Sequence, residues 1–302
     1  MTRRRDWMIG VIIAGTFVAF LAITVISLWS LSSGDADGLA FGGFGERVAI
    51  VELIGPIQSS EAVVRQLRRW GDEKSTPAIL LRVDSPGGGV AASQEIYDEI
   101  LRVRDKGKIV VVSMGSVAAS GGLYVAMAAD TVVANPGTLT GSIGVIFQYP
   151  TAERLLDKIG IRYETIKSGE FKDVGSFTRS MNPGDSTLLQ SVIDDTYDQF
   201  VEVVADGRGI DEEEVRTFAD GRIFTGRQAY ELDLVDVLGD YQDAIDIAAG
   251  MAGMEAPPKT VKEIPRYRRS IWDLLGQIAV GALDRMASYD NGYEPMLQYR
   301  FR

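Results

Sequence analysis

The chain has 302 residues and contains neither cysteine nor histidine. Without cysteine, no disulfide staples the fold and no thiolate attacks a substrate. The missing histidine excludes more: a Ser-His-Asp triad, a Cys-His pair, an H-E-x-x-H zinc site and a His–Cys zinc centre. Any general base must therefore be Asp, Glu, Lys, Tyr or a terminal amine. Lysine is itself scarce, at eight of the 31 basic residues. Composition leaves a carboxylate-only Mg²⁺ or Ca²⁺ site open, but no EF-hand or phosphate-loop spacing occurs, so no metal and no organic cofactor are expected.

Positive charge is also short. The net charge is −11, and residues 38–254 alone carry −13. An acidic body repels nucleic acid backbones, so no nucleic acid partner is expected. An acidic, lysine-poor surface fits either a high-salt habitat or the ordinary composition of a high-GC genome.

One long stretch lacks charge altogether. After Arg3, Arg4 and Arg5, residues 8–31 (MIGVIIAGTFVAFLAITVISLWSL) hold no ionisable side chain. As a helix they would reach about 36 Å, enough to span a bilayer with some tilt. Trp7 and Trp29 fall where interfacial aromatics sit, and the positive-inside rule places the arginines in the cytoplasm. The run is too long for the core of a secretory signal and lacks a small-x-small cleavage site. The expectation is an uncleaved, single-pass anchor in the cell membrane, with everything after residue 31 extracytoplasmic. Residues 32–46, rich in Gly, Ser and Asp, read as a linker.

From residue 47 the pattern changes. Short β-branched runs at 48–54 (VAIVELI), 78–83 (AILLRV), 108–113 (KIVVVS) and 131–134 (TVVA) alternate with helical stretches at 61–69 and 88–104. Strands interleaved with helices predict an α/β domain with a largely parallel sheet and flanking helices, over residues 47–254. Further helices are expected at 186–208 and 211–219, and Pro257-Pro258 ends the α/β region. The extension 255–302 includes RYRRSIWDLLGQIAVGALDRM, an amphipathic helix expected to pack on its own domain or a neighbouring subunit, with the membrane surface as the other reading.

The second and third strands run into glycine-rich turns, DSPGGG at 84–89 and SMGSVAASGG at 113–122. Ligand sites of parallel sheets gather at the carboxyl ends of strands. Successive glycines let backbone N–H groups approach an anion closely, which suits an oxyanion or a phosphate equally. Ser120, flanked by Ala118, Ala119, Gly121 and Gly122, has the small neighbours of a nucleophile on a tight turn. A serine tolerated in a close-packed Ala/Gly helix start is the competing reading, and Ser85, Ser113 and Ser116 are rival serines. With histidine absent, lysine is the substitute base, provided burial favours its neutral form. Lys158, Lys167 and Lys172 are the candidates, the last two in IKSGEFKD, read as a strand end followed by a turn.

Five ordered motifs, DSPGGG, SMGSVAASGG, ANPGTLTGSIGV, IKSGEFKDVGSFTR and DGRIFTGRQAYELDLVD, resemble signal peptide peptidase A over roughly residues 47–250. That family comprises membrane-anchored Ser-Lys peptidases with a ClpP/crotonase-like fold. The resemblance implies Ser120 as nucleophile, Lys172 as base, Ser142 as the hydroxyl that orients the lysine, and the backbone N–H groups of Gly87 and Gly121 as oxyanion hole. It implies hydrophobic peptides such as cleaved signal peptides as substrates. It also implies a ring of identical subunits, in which Lys172 reaches a neighbour's serine. The chain departs from the family pattern at Leu123, where an aromatic is usual, and at Asp233, where a glycine is usual. Three other readings remain beside this one. They are a protease specific for a stomatin-like membrane protein, a crotonase-type acyl-CoA enzyme, against which the anchor argues, and an inactive membrane scaffold. A base near neutral pH needs its amine free of carboxylates, so neither Glu170 nor Asp173 is expected to touch the Lys172 amine.

Overall fold

A computed structural model of the chain describes residues 45–263, together with residues 16, 20 and 21. All of the anchor (8–31) except residues 16, 20 and 21, nearly all of the linker (32–46) and residues 264–302 of the extension lie outside the described residues. The chain divides between Glu46 and Arg47, where the sequence pattern begins the domain. No helix among the described residues is long and apolar enough to cross a membrane.

The sheet is built from its most apolar runs. β1 (Arg47–Ile54), β2 (Ala78–Ser85) and β3 (Ile109–Ala119) pair in parallel, Ile50 opposite Leu80 and Leu80 opposite Val111. Helices α1 (Glu61–Asp72) and α2 (Val90–Asp105) make the crossovers that parallel strands require. Alternate residues of each strand face opposite layers. Ala49, Val51, Ile79, Leu81 and Val112 pack under α1 and α2. Val48, Ile50, Leu80 and Val111 pack against α8 (Tyr241–Met251) through Ala244, Ile245 and Ala248. Burial on both faces explains why these strands read as continuous apolar runs rather than alternating ones.

β3 divides its edge between two neighbours. Val111 to Met114 pair with β4 (Thr131–Ala134), and beyond a bulge Val117 to Ala119 pair with β5 (Leu139–Gly141). The sequence pattern ends this strand at Ser113 and makes residues 114–119 part of a turn. In the structure the strand bends and continues six residues further. The bend is held by side chains on or just before neighbouring strands: Asp84 accepts from Val117 N–H (3.1 Å), Thr138 donates to Gly115 C=O (2.7 Å) and Thr140 to Ala118 C=O (2.6 Å). The small residues allow the close approach that these bonds need.

The rest of the sheet is completed late in the chain. β6 (Ile223–Thr225) pairs antiparallel with β5, and β7 (Val237–Leu238) pairs with β4. β8 (Lys259–Lys262) adds a parallel edge beside β1, so the sheet extends past Pro257-Pro258, where the sequence pattern ends the α/β region. Between β5 and β6 the chain leaves the sheet as a long arm. It carries α4 (Glu153–Ile159), then residues 161–167 without regular structure, then turns over 168–175. The strand expected to end near residue 166 is not formed. α5 (Pro183–Arg208) follows, its start fixed by Pro183 and by a capping box between Asn182 and Asp185. α6 (Glu212–Phe218) and α7 (Gly226–Glu231) close the domain.

Candidate active site

β3 delivers Ser120 to the carboxyl end of the sheet, at the start of the short helix α3 (Gly121–Ala126). Its backbone has φ +52° and ψ −121°, a conformation a side-chain-bearing residue avoids and one that typically stores about 1–3 kcal/mol of strain. The surroundings impose it. Ser120 N–H donates to Gly141 C=O (2.9 Å), and Ser120 C=O accepts from Tyr124 N–H (2.9 Å). The result is a half-buried serine on a tight strand-to-helix turn, the backbone logic of a nucleophile elbow. The rival serines are placed otherwise. Ser85 and Ser113 are buried and bonded, to Gly87 N–H and to the Arg82 guanidinium, while Ser116 is exposed along β3.

The DSPGGG turn lies directly against this serine. A Cβ on Gly87 would meet Gly121 N at 2.7 Å and Ser120 Cβ at 2.8 Å, so only glycine fits there. The Gly87 N–H, however, donates to Ser85 Oγ (3.1 Å). Gly88 is held by Ile57, which takes Gly89 N–H (2.8 Å) and gives its own N–H to Gly87 C=O (2.9 Å). This leaves the Gly88 N–H without a partner among the described residues, and Gly88 lines the cavity beside Ser120 and Gly121. The Gly87 N–H, which the resemblance assigns to the oxyanion, is thus already bonded, and the free N–H among the described residues is that of Gly88, one residue on. Gly121 N–H is also unbonded among the described residues, as first-turn donors are.

The cavity at Ser120 has a volume of about 110 Å³, and Val90, Tyr124, Ile146 and Phe200 give it apolar walls. Tyr124 stacks edge-on against Phe200 (5.1 Å) and Tyr97 (5.4 Å), and its hydroxyl donates to Gln94. Burial, with a smaller contribution from Tyr97, pushes its pKa up to about 12, so it keeps its proton and is no base. Leu123, the family departure nearest the nucleophile, is fully buried in the core, and it is Tyr124 that faces the cavity. Asp233 adopts φ +57°, the left-handed conformation that a glycine would supply.

Ser142 adjoins the residue that holds Ser120, whereas Lys172 lies out on the arm, and neither lines the cavity. Ser142 follows Gly141, whose carbonyl holds Ser120, and it too has a positive φ (+54°), with its N–H on Arg222 C=O (2.7 Å). Lys172 sits exposed in the turns of the arm and does not line the cavity. Its amine has no hydrogen bond or ion pair among the described residues, in line with the expectation for Glu170 and Asp173. Lys167 is occupied, by Asp173 (2.7 Å) and Glu170 C=O (2.8 Å). Lys158 is exposed on α4. Apart from Tyr124, no titratable side chain among the described residues lines the serine cavity.

A strained serine beside unpaired backbone N–H groups, on a mostly parallel sheet, defines a serine hydrolase. Residues 46–138 match the Clp protease family, and residues 102–255 match peptidase family S49. The chain belongs to peptidase family S49, whose members are serine proteases. It is 49% identical over 212 residues to a putative protease of Synechocystis, covering 70% of this chain and 76% of that one. It is 39% identical to a putative signal peptide peptidase SppA of Enterococcus faecium (60% and 53% covered). It is 33% identical to the chloroplastic serine protease SPPA of Arabidopsis thaliana (84% and 38% covered). The chain thus spans about half the length of the second relative and little more than a third of the third.

Proposed function

We propose that the protein is a membrane-anchored serine endopeptidase with a Ser120–Lys172 dyad, degrading cleaved signal peptides or similar hydrophobic peptides outside the cytoplasmic membrane. The observation that carries this reading is the mismatch within one chain. Ser120 is set up for attack but its cavity contains no base, while Lys172 stands exposed on an arm whose apolar side chains are also unburied. Ile146 is 79% exposed and Ile166 fully so. A neighbouring copy that covers the arm would bury these side chains and bring its own lysine to the serine, within a closed ring of identical subunits.

In that ring a neutral Lys172 takes the proton of Ser120 Oγ, with Ser142 orienting the amine. The serine attacks the scissile carbonyl. The oxyanion rests on the N–H groups of Gly88 and Gly121, each donor contributing about 3 kcal/mol to the transition state. The protonated lysine gives its proton to the leaving amine, and then activates the water that releases the acyl group. The apolar walls of the cavity favour an aliphatic side chain beside the cleaved bond.

Mixing two dead variants tests the shared site. Ser120→Ala and Lys172→Ala should each be inactive alone. Co-assembled in equal amounts, they should recover about a quarter of wild-type sites, because random mixing pairs an intact serine with an intact lysine that often. Activity of Lys172→Ala on its own would remove the dyad. Absence of recovery from co-assembled rings would place both residues in one subunit.

A further inference from the structure

The arm that carries Lys172 also carries a chain of alternating charges. Asp173 accepts from Lys167 Nζ (2.7 Å) and, through both oxygens, from Arg179 Nη2 (2.9 Å) and Nε (3.0 Å). Arg179 turns its other edge to Asp185, at 3.1 Å from Nη2 and by a second, shorter bond from Nη1, and also reaches Ser180 C=O (3.1 Å). Asp185 is the buried third residue of α5 and accepts from Asn182 N–H (3.1 Å). Glu170 is turned the same way, its Oε1 3.7 Å from where a Cβ on Gly184 would sit, at the positive end of α5. The charged groups facing this cluster are Lys167 and Glu170 from its own segment, Glu153 and Arg154 from α4, and Asp185 from α5. Lys172 lies between two acidic residues, Glu170 and Asp173, and bonds to neither.

We propose that Arg179 is a positioning residue for the reaction: its guanidinium occupies the Asp173 carboxylate, ties it to the start of α5 through Asp185, and so keeps the lysine base free of its acidic neighbour. A dyad lysine fails if a carboxylate settles on it, because the pair favours the ammonium. The Arg179 fork, with help from Lys167, holds Asp173 well below the usual carboxylate range. Asp173 is thus anionic at every working pH and needs a permanent counter-charge. Arginine supplies one that never deprotonates, in the two-pronged geometry that a carboxylate matches. The segment thereby separates two lysines by role: Lys167 shares the acid and Lys172 is left for chemistry. The inference rests on Lys172 being the base.

The test is the pH profile of kcat/KM for the full-length chain on a hydrophobic fluorogenic peptide. Arg179→Gln should move the rising midpoint upward by about 0.5–1 unit, since one nearby positive charge is lost and Asp173 keeps only Lys167 as a charged partner. Arg179→Gln combined with Asp173→Asn should return the midpoint to that of the wild type. Arg179→Lys, which keeps the charge, should leave the midpoint in place even if the rate falls. If Arg179→Gln does not fold, judged by circular dichroism, Asp173→Asn alone decides, with a downward shift expected. A uniform loss of rate at every pH with an unmoved midpoint, or a double variant that stays shifted, would make Arg179 merely structural. Lys172→Ala is assayed in parallel: activity retained there sinks the dyad itself, whereas an inactive Lys172→Ala beside an unmoved Arg179→Gln midpoint sinks only the role given to Arg179.

Discussion

Two regions of this molecule treat their apolar residues in opposite ways. In the sheet, Val48, Ile79, Leu80, Leu81 and Val111 are wholly buried, each strand being covered on both faces by the helices of its own chain. In the arm between β5 and β6, Ile146, Leu155, Ile159, Ile166 and Val192 are all more than half exposed. The first region is finished by intramolecular packing. The second leaves these large apolar side chains at the surface, in a segment that also carries Glu153, Lys158, Arg162 and Glu164. Ser120 belongs to the first region and Lys172 to the second.

The largest effect should come from the point where the regions meet. Ser120→Ala should lower peptidase activity by at least about a thousandfold while leaving the melting temperature close to the wild type. A melting temperature that fell by many degrees would mean that the hydroxyl supports the fold rather than the chemistry. Next, Leu80→Ala in the sheet should cost about 2–5 kcal/mol by urea denaturation. Ile166→Ala in the arm should cost under about 0.5 kcal/mol in the single chain and act instead on assembly, read by light scattering. Equal destabilisation by both would erase the contrast. Gly88→Ala should reduce kcat at least about tenfold, because its Cβ would sit 2.2 Å from Ile57 C=O and displace the turn beside Ser120.

Two smaller effects sharpen the picture. Asp240 caps α8 by accepting from Gln242 N–H (2.7 Å) and Asp243 N–H (3.0 Å), so Asp240→Ala should cost about 1 kcal/mol on the sheet side and leave activity unchanged. Near Ser142, Arg222 holds the Asp220 carboxyl down to about 2 from an ordinary 3.8. A carboxylate lowered in the folded state stabilises above its unfolded pKa, and that contribution disappears as the pH falls through the folded value. Asp220→Asn should therefore flatten the loss of stability between about pH 4 and pH 2 in acid titrations followed by circular dichroism. An unchanged acid limb would show the pair to be fully screened by solvent.

Legibility in the sequence follows the same division. The strand at 131–134 agrees with the structure residue for residue, because β-branched runs have few alternatives once buried on both faces. β3 reads too short because Ser, Gly and Ala mimic a turn. Its continuation depends on hydroxyls and a carboxylate from outside the strand, contacts that no local pattern contains. β8 (KTVK) escapes sequence reasoning because an edge strand with two lysines carries little apolar signal. The tight turn at Ser120 is legible from its small neighbours. Which glycine leaves its N–H free is not, since that depends on the Ser85 hydroxyl capturing Gly87. The Asp173–Arg179–Asp185 chain is invisible as well, because its three members meet only once the turns between them have folded.

The emptiness of the serine cavity has a consequence for biosynthesis. Among the described residues, only Tyr124 titrates in that cavity, and it keeps its proton. Under the shared site proposed above, a newly made, solitary chain carries Ser120 with no base beside it to accept the proton, and it stays latent until it meets its neighbours. On that reading latency resides in stoichiometry, and dilution alone is enough to restore it.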